Sequence, residues 1–231
     1  MRRVVLLGKP VRESLSPRMQ NAAFAAAGLD WRYDALELEP HELAAAVRGL
    51  DAGANVTIPY KLDVMALCDE VEPRAVSVNT LVVRDGRILG SSTDGLAIVG
   101  AVEARGARAL VLGEGGAAKA AVAALEQAGA EVRVASRRGE WPPRLGDATL
   151  IVNATPVRDK LLVEPRREHA VVDLAYRASG EPTVLVAAAH AAGCEVVVDG
   201  VEILIRQGAA SFERWTGLEA PIDAMRAALV A

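Results

Sequence analysis

Cysteine is nearly missing from this sequence: Cys68 and Cys194 stand alone, with no partner at disulfide or metal-ligand spacing. That excludes a disulfide framework and a zinc centre, so no metal is expected, and both residues are expected as buried free thiols. Aromatic side chains are few, at 3%, so the core must be built from small aliphatic residues, chiefly alanine and valine. An excess of one charge sign is lacking too. A formal net charge of -4 without long like-charge runs leaves no basic stripe for nucleic acid or an anionic membrane surface. Long apolar runs are also absent. Residues 4–7, behind Arg2 and Arg3, begin like a signal peptide but stop at Gly8-Lys9-Pro10, too short for a leader or a membrane span. The expectation is a cytoplasmic protein with neither nucleic acid nor membrane as a partner.

What is present describes an α/β protein. At 231 residues and 52% hydrophobic the chain can bury the core of one or two domains. Residues 4–7 read as a buried strand, and Pro17 opens a helical stretch whose face of Met19, Ala22, Ala23, Ala26 and Ala27 ends at Gly28. Residues 31–38 read as a second strand, 40–49 as a helix, and 55–58 as a third strand stopped by Pro59. Such alternation predicts a largely parallel sheet covered by helices. After a helical stretch at 95–103, a second series places strands at 109–112, 131–135, 150–153, 171–174 and 195–198, with helices between most of them. Two tandem α/β modules are expected to leave a cleft for ligands.

The most interpretable motif is ALVLGEGGAA at 109–118, an apolar strand running through a glycine-rich turn into an alanine-rich helix. Gly113 permits the tight turn, Gly115 lets backbone approach a pyrophosphate, and Gly116 and Ala117 open a helix whose free N–H groups face an anion. An ordinary strand-to-helix turn uses the same residues, but the flanking strand and helix favour a dinucleotide. An NAD enzyme ends its second strand with an acid for the ribose 2′-hydroxyl. Here that position reads Ser136-Arg137-Arg138, whose planar guanidiniums suit the 2′-phosphate of NADP. Glu114 is discordant, because a carboxylate beside a pyrophosphate repels it unless it turns aside.

The first module carries Ser14 and Ser16 on a loop at a helix start, where two hydroxyls fit either a bound carboxylate or a helix cap. Lys61 follows a strand end, a place that suits a solvated surface lysine as well as a catalytic one. VNT at 78–80 and STDG at 92–95 fit polar turns.

Taken together, SLSP at 14–17, NVTIPYK at 55–61, VNT at 78–80, STDG at 92–95, GEGGAA at 113–118, NATPV at 153–157 and QGAASFERWTG at 207–217 resemble the shikimate dehydrogenase family in content and order. The resemblance covers nearly the whole chain. It implies a substrate domain at 1–95, a Rossmann-like NADP-binding domain at 96–200, and C-terminal helices at 201–231 that return to the first domain. It further implies reversible interconversion of shikimate and 3-dehydroshikimate, a step of chorismate and aromatic amino-acid biosynthesis, by a monomer or homodimer. Residue by residue, it makes Lys61 and Asp94 the catalytic pair and Ser14 and Ser16 the carboxylate holders. Thr57, Asn79 and Gln207 become contacts to ring hydroxyls, Tyr176 part of the substrate pocket, and Thr155 a cofactor neighbour. None of His41, His169 and His190 falls in a matching motif, which argues against a histidine-based dehydrogenase.

The chain departs from the family pattern in places. Gln20 stands for a histidine, Ser92 for an asparagine, and Arg158-Asp159 for Gly-Met in a loop near the nicotinamide. The stretch between Arg138 and Thr149 is too short for a helical crossover, so a loop containing Pro142-Pro143 is expected there. A relative preferring quinate or another cyclic hydroxy acid is the nearest alternative. A non-catalytic binding module is the alternative from another class, against which the retained Lys61 and Asp94 speak.

Overall fold

The computed structural model describes residues 1–230, and the chain divides into two compact units, Met1–Thr93 with the segment from Ile205 onward, and Asp94–Leu204.

In the first unit, β1 (Arg2–Gly8) buries Val4 to Leu7 and stops at the Lys9-Pro10 step. The crossover helix α1 (Ser16–Ala26) returns the chain to β2 (Trp31–Glu37), parallel to β1. A 3-10 turn at Pro40–Glu42 and the short α2 (Leu43–Arg48) replace the single expected helix at 40–49, and lead to β3 (Gly53–Val56), also parallel to β1. Beyond this point the sheet becomes mixed. β4 (Glu70–Val71) is a short edge strand, and β5 (Thr80–Arg84) and β6 (Arg87–Ser91) form an antiparallel hairpin, giving the order β2-β1-β3-β5-β6-β4. β4 and β6 are parallel, but the pairings of β5 are antiparallel. The hairpin turns on Asp85-Gly86, both at positive φ, 52° and 74°. A two-residue Asp-Gly turn matches the twist of paired strands and was the available sequence signal. One sheet face packs Val5, Leu7 and Val56 against Leu43, Val47 and Val64.

The C-terminal helices complete this unit. α6 (Gly200–Thr216) begins in the second unit and ends in the first, and α7 (Ile222–Val230) packs on α1. Phe212 of α6 lies 5.7 Å from Phe24 of α1, ring centre to ring centre, and the Trp215 indole N–H donates to the Leu81 carbonyl at 2.9 Å. Gly208 lets α6 approach α1, because a Cβ there would collide with the Met19 side chain.

The second unit is a five-stranded, all-parallel, Rossmann-like sheet of order β11-β10-β9-β7-β8. Its elements are α3 (Asp94–Val99), β7 (Arg108–Leu112), α4 (Gly116–Gln127), β8 (Glu131–Ala135), β9 (Leu150–Asn153), β10 (Ala170–Asp173), α5 (Val184–Ala191) and β11 (Val197–Val198). α3 and β11 are shorter than the stretches 95–103 and 195–198 suggested. The β8-to-β9 connection is a loop, in line with its length, but β9 to β10 also lacks a helix. Helices therefore join fewer strands than expected. Loop residues Leu145, Leu161, Leu162 and Val163 cover the face of Leu110, Leu112 and Ile151 in their place, together with Leu185 and Ala189 of α5. On the opposite face Ala97, Ile98, Ala118, Ala121 and Leu125 of α3 and α4 pack on Val111, Val152 and Val172. Small residues allow that approach: a Cβ at Gly95 would stand 2.6 Å from the Ala124 Cβ and 2.9 Å from the Ala120 carbonyl oxygen.

Candidate active site

The first unit buries a continuous polar network, which needs internal partners because water cannot supply them. The Tyr33 hydroxyl donates to Asn55 Oδ1 at 2.8 Å, and Asn55 Nδ2 donates to the Asn79 carbonyl at 3.0 Å and to Ser211 Oγ at 3.0 Å. Ser211 Oγ in turn lies 2.8 Å from Thr80 Oγ1. Asn79 Nδ2 donates to Thr93 Oγ1 at 2.9 Å and Gln207 Oε1 at 3.3 Å, while Asn79 Oδ1 accepts from the Thr93 backbone N–H at 2.8 Å. Asn79 and Thr93 are buried, so their amide and hydroxyl are presented in one orientation. Strand β5 starts beside Asn79, β6 ends beside Thr93, and α6 brings Gln207 and Ser211. Two residues 128 positions apart are thus joined. Tyr33 and Ser211 were missed in the sequence; a tyrosine in a strand and a serine in a distant helix carry no local sign of a shared network.

Ser16 is the first residue of α1 and is buried, one position past the N-cap residue Leu15, and Ser14 Oγ accepts from the Ser16 backbone N–H at 3.2 Å. Thr57 accepts from the Tyr60 N–H at 3.0 Å and donates its own to Leu7 at 2.8 Å, which fixes the turn after β3. Lys61 follows directly, half-buried, its carbonyl bonded by the Val78 N–H at 2.9 Å. Tyr60 anchors this turn from inside, donating to the Leu38 carbonyl at 2.6 Å. Asp94, buried, opens α3 of the second unit immediately after Thr93.

In the second unit Gly113 adopts φ 121°, and a Cβ there would meet the Ala154 carbonyl oxygen at 3.1 Å. Gly115 is the N-cap of α4 with an extended backbone, and a Cβ on it would meet nothing within 4 Å. Glycine there keeps open the space in front of the helix N-terminus formed by Gly116 and Ala117. Ser136, Arg137 and Arg138 follow β8, with Ser136 buried and both arginines exposed. Glycine turn, open helix start, hydroxyl and guanidiniums are a donor set that fits the pyrophosphate and 2′-phosphate of NADP. Glu114 turns aside, as the motif required. Its Oε2 accepts from Ser136 Oγ at 2.7 Å and its Oε1 pairs with Arg138 Nε at 3.2 Å.

At the ends of β9 and β10 a second polar cluster holds the neighbouring loops. Thr155 Oγ1 donates to Asn153 Oδ1 at 2.7 Å, Asn153 Nδ2 donates to Asp173 Oδ1 at 2.9 Å, and Thr183 Oγ1 donates to Asp173 Oδ2 at 2.5 Å. Burial pushes the Asp173 carboxyl up, against the pull of the hydrogen bonds it accepts from Thr183, the Ala175 N–H and Asn153. Arg158 finds room by reaching sideways, donating to the Tyr176 carbonyl at 3.3 Å. Arg177 ties the same two loops through Asp159 at 2.5 Å.

Residues set aside by the sequence reading are structural. His169 is buried, its Nδ1 accepts from the Arg166 N–H at 2.7 Å, and burial holds its pKa down. Both thiols are free; Cys194 is buried, but Cys68 is only half-buried, its pKa still pushed up to about 11 by desolvation. Among the described residues no cluster of histidine, cysteine and carboxylates could hold a metal, and no helix is long and apolar enough to cross a membrane.

The family model for the shikimate dehydrogenase substrate binding domain matches residues 6–81, and that for the shikimate 5'-dehydrogenase C-terminal domain matches residues 200–230. The NADP(+) shikimate dehydrogenase of Halobacterium salinarum is 40% identical over 260 aligned residues, covering 97% of each chain. That of Rubrobacter xylanophilus is also 40% identical, over 98% of this chain and 94% of the relative. Among solved structures, shikimate dehydrogenase from Aquifex aeolicus superposes with a TM-score of 0.92 at 30% identity, covering 100% of this chain and 98% of that one. The Thermus thermophilus enzyme in complex with NADP(H) and shikimate gives 0.87 at 34% identity, covering 100% and 99%. With similarity of this degree running the length of both partners, the chain belongs to the shikimate dehydrogenase family.

Proposed function

We propose that this protein is an NADP-dependent shikimate dehydrogenase that interconverts shikimate and 3-dehydroshikimate in chorismate biosynthesis, acting in the cytoplasm as a monomer or homodimer. The observation that carries the reading is the near-full-length 40% identity to enzymes of that name. The chain supplies chemistry suited to it. Oxidising a secondary alcohol removes a hydride from carbon and a proton from oxygen. The nicotinamide of NADP, when bound, accepts or returns the hydride. Lys61 takes the hydroxyl proton as the free amine and returns it as the ammonium, the task of a general acid–base group. Asp94 accepts a substrate hydroxyl and keeps the reacting oxygen oriented. The Ser14 hydroxyl, already an acceptor for the Ser16 N–H, keeps its own proton to donate to the substrate carboxylate, with Ser16 beside it. Asn79, Thr57 and Gln207 read the ring hydroxyls, and the mutual bond of Asn79 and Gln207 pre-orients both amides. Tyr176, on the loop held by Arg158, lines the substrate side of the second domain. Gly113, Gly115, Gly116 and Ala117 cradle the pyrophosphate, Ser136, Arg137 and Arg138 take the 2′-phosphate, and Thr155 steadies the loop beside the nicotinamide.

Initial rates of reduced-nicotinamide formation with shikimate and with quinate, each against NADP and NAD, test the assignment. Shikimate with NADP is expected to be fastest. Replacing Arg137 and Arg138 together with alanine should raise the KM for NADP several-fold while barely changing that for NAD, since only NADP carries the phosphate. Faster turnover of quinate, or equal use of both cofactors by the unaltered protein, would reject the corresponding half of the reading.

A further inference from the structure

The carboxylate that interrupts the glycine-rich turn sits where cofactor choice is made. Strands β7 and β8 pair with Leu112 opposite Ala135, so the turn leaving one strand and the residues leaving the other start side by side. A glutamate two positions beyond Leu112 therefore reaches the end of β8, and Glu114 spans Ser136 Oγ at 2.7 Å and Arg138 Nε at 3.2 Å with its two oxygens. We propose that Glu114 is an internal competitor for the 2′-phosphate of NADP, holding the donors that phosphate needs and so narrowing the preference for NADP over NAD. The proposal deepens, and rests on, the reading of the second unit as the NADP-binding domain.

Three physical points support it. A carboxylate and a phosphate oxygen seek the same charge-assisted donors, and Ser136 and Arg138 cannot serve both fully at once. A dianionic phosphate arriving beside Glu114 also meets a like charge, whereas the neutral 2′-hydroxyl of NAD does not. Finally, NAD enzymes place an acid at the end of the second strand to accept from that hydroxyl. Glu114 brings a carboxylate to the same place from the neighbouring turn. The Arg138 side chain is 87% exposed and that of Glu114 40%, so the pair is solvent-screened and exchanges partners readily. Competition of this kind tunes cofactor choice without abolishing NADP binding, because Arg137 stands outside the pair.

Calorimetric titration of NADP and NAD into the unaltered protein, Glu114→Ala, Glu114→Gln, Arg138→Ala and Glu114→Ala/Arg138→Ala tests this without turnover. Glu114→Ala is expected to tighten NADP by about 2- to 10-fold and to leave NAD unchanged or weaker. Glu114→Gln, which keeps an oxygen for Ser136 but no charge, should give most of that gain and decides the matter if the alanine variant fails to fold. In the Arg138→Ala background the gain should shrink. An unchanged or smaller ratio of NAD to NADP dissociation constants in the folded variants overturns the proposal while leaving the domain assignment intact. Failure of the unaltered protein to bind NADP at all overturns the domain assignment, and the proposal with it.

Discussion

Lys61 is placed by backbone geometry, since the turn after β3 is pinned by the Thr57 and Tyr60 hydrogen bonds and leaves the next residue at the head of the following segment. Lys61→Ala should therefore lower kcat by roughly the 10²–10⁴-fold of a lost general acid–base group while leaving NADP affinity little changed. Asp94→Ala should lower kcat and raise the KM for shikimate. If both groups serve one hydroxyl, the double variant should lose far less than the product of the single losses; fully multiplicative losses in steady-state kinetics would separate their roles. The role proposed for Ser14 and Ser16 is binding rather than chemistry. Changing both to alanine should raise the KM for shikimate more than it lowers kcat, because a carboxylate is held alike in ground and transition states. An unchanged KM would reduce Ser14 to the helix-start acceptor it already is. These side-chain types and their order were legible in the sequence. Tyr33, Asn55, Thr80 and Ser211 as one buried network were not, because hydrogen bonds between residues up to 156 positions apart leave no local pattern.

Between elements, close approach is set by residues without side chains. Gly95 stands where α3 meets α4, and the Cβ of an alanine would lie within 3 Å of both the Ala124 Cβ and the Ala120 carbonyl oxygen. Backbone cannot yield there cheaply, so Gly95→Ala should destabilise the protein by about 1–3 kcal/mol, the range for overpacking a filled core. Because Asp94 is the adjacent residue, the same change should also lower turnover, seen as a lower denaturation midpoint accompanied by a reduced kcat. A variant with wild-type stability would show that α3 can shift as a body. At this scale strand identity was legible wherever branched apolar runs ended in glycine or proline, as at β1 and β7. The β5–β6 hairpin escaped because its flanks, Asn79-Thr80 and Ser91-Ser92-Thr93, read as independent polar turns. The Asp85-Gly86 turn that joins its strands was the informative signal.

For the molecule as a whole, stability carries the imprint of one buried carboxylate. Burial raises the folded-state pKa of Asp173 above its ordinary 3.8, so the folded protein keeps that proton to higher pH than the unfolded chain does. Its contribution is therefore fully present below the unfolded pKa and is lost as pH rises through the folded one. Asp173→Asn removes this titration, and urea denaturation across that window should show the stability difference moving in favour of the asparagine variant as pH increases. A difference independent of pH would mean that the hydrogen bonds from Asn153, Ala175 and Thr183 cancel the desolvation. The alternation of elements, the glycine-rich turn and the basic residues after β8 were determined by sequence alone, because each depends on neighbours within a few positions along the chain. The mixed pairing of the first sheet, the second connection lacking a helix, the grip of Glu114 on Ser136 and Arg138, and the joining of Asn79 to Gln207 were decided only by tertiary structure. Each depends on which distant segments share a face, and that is settled by the packing of the whole chain.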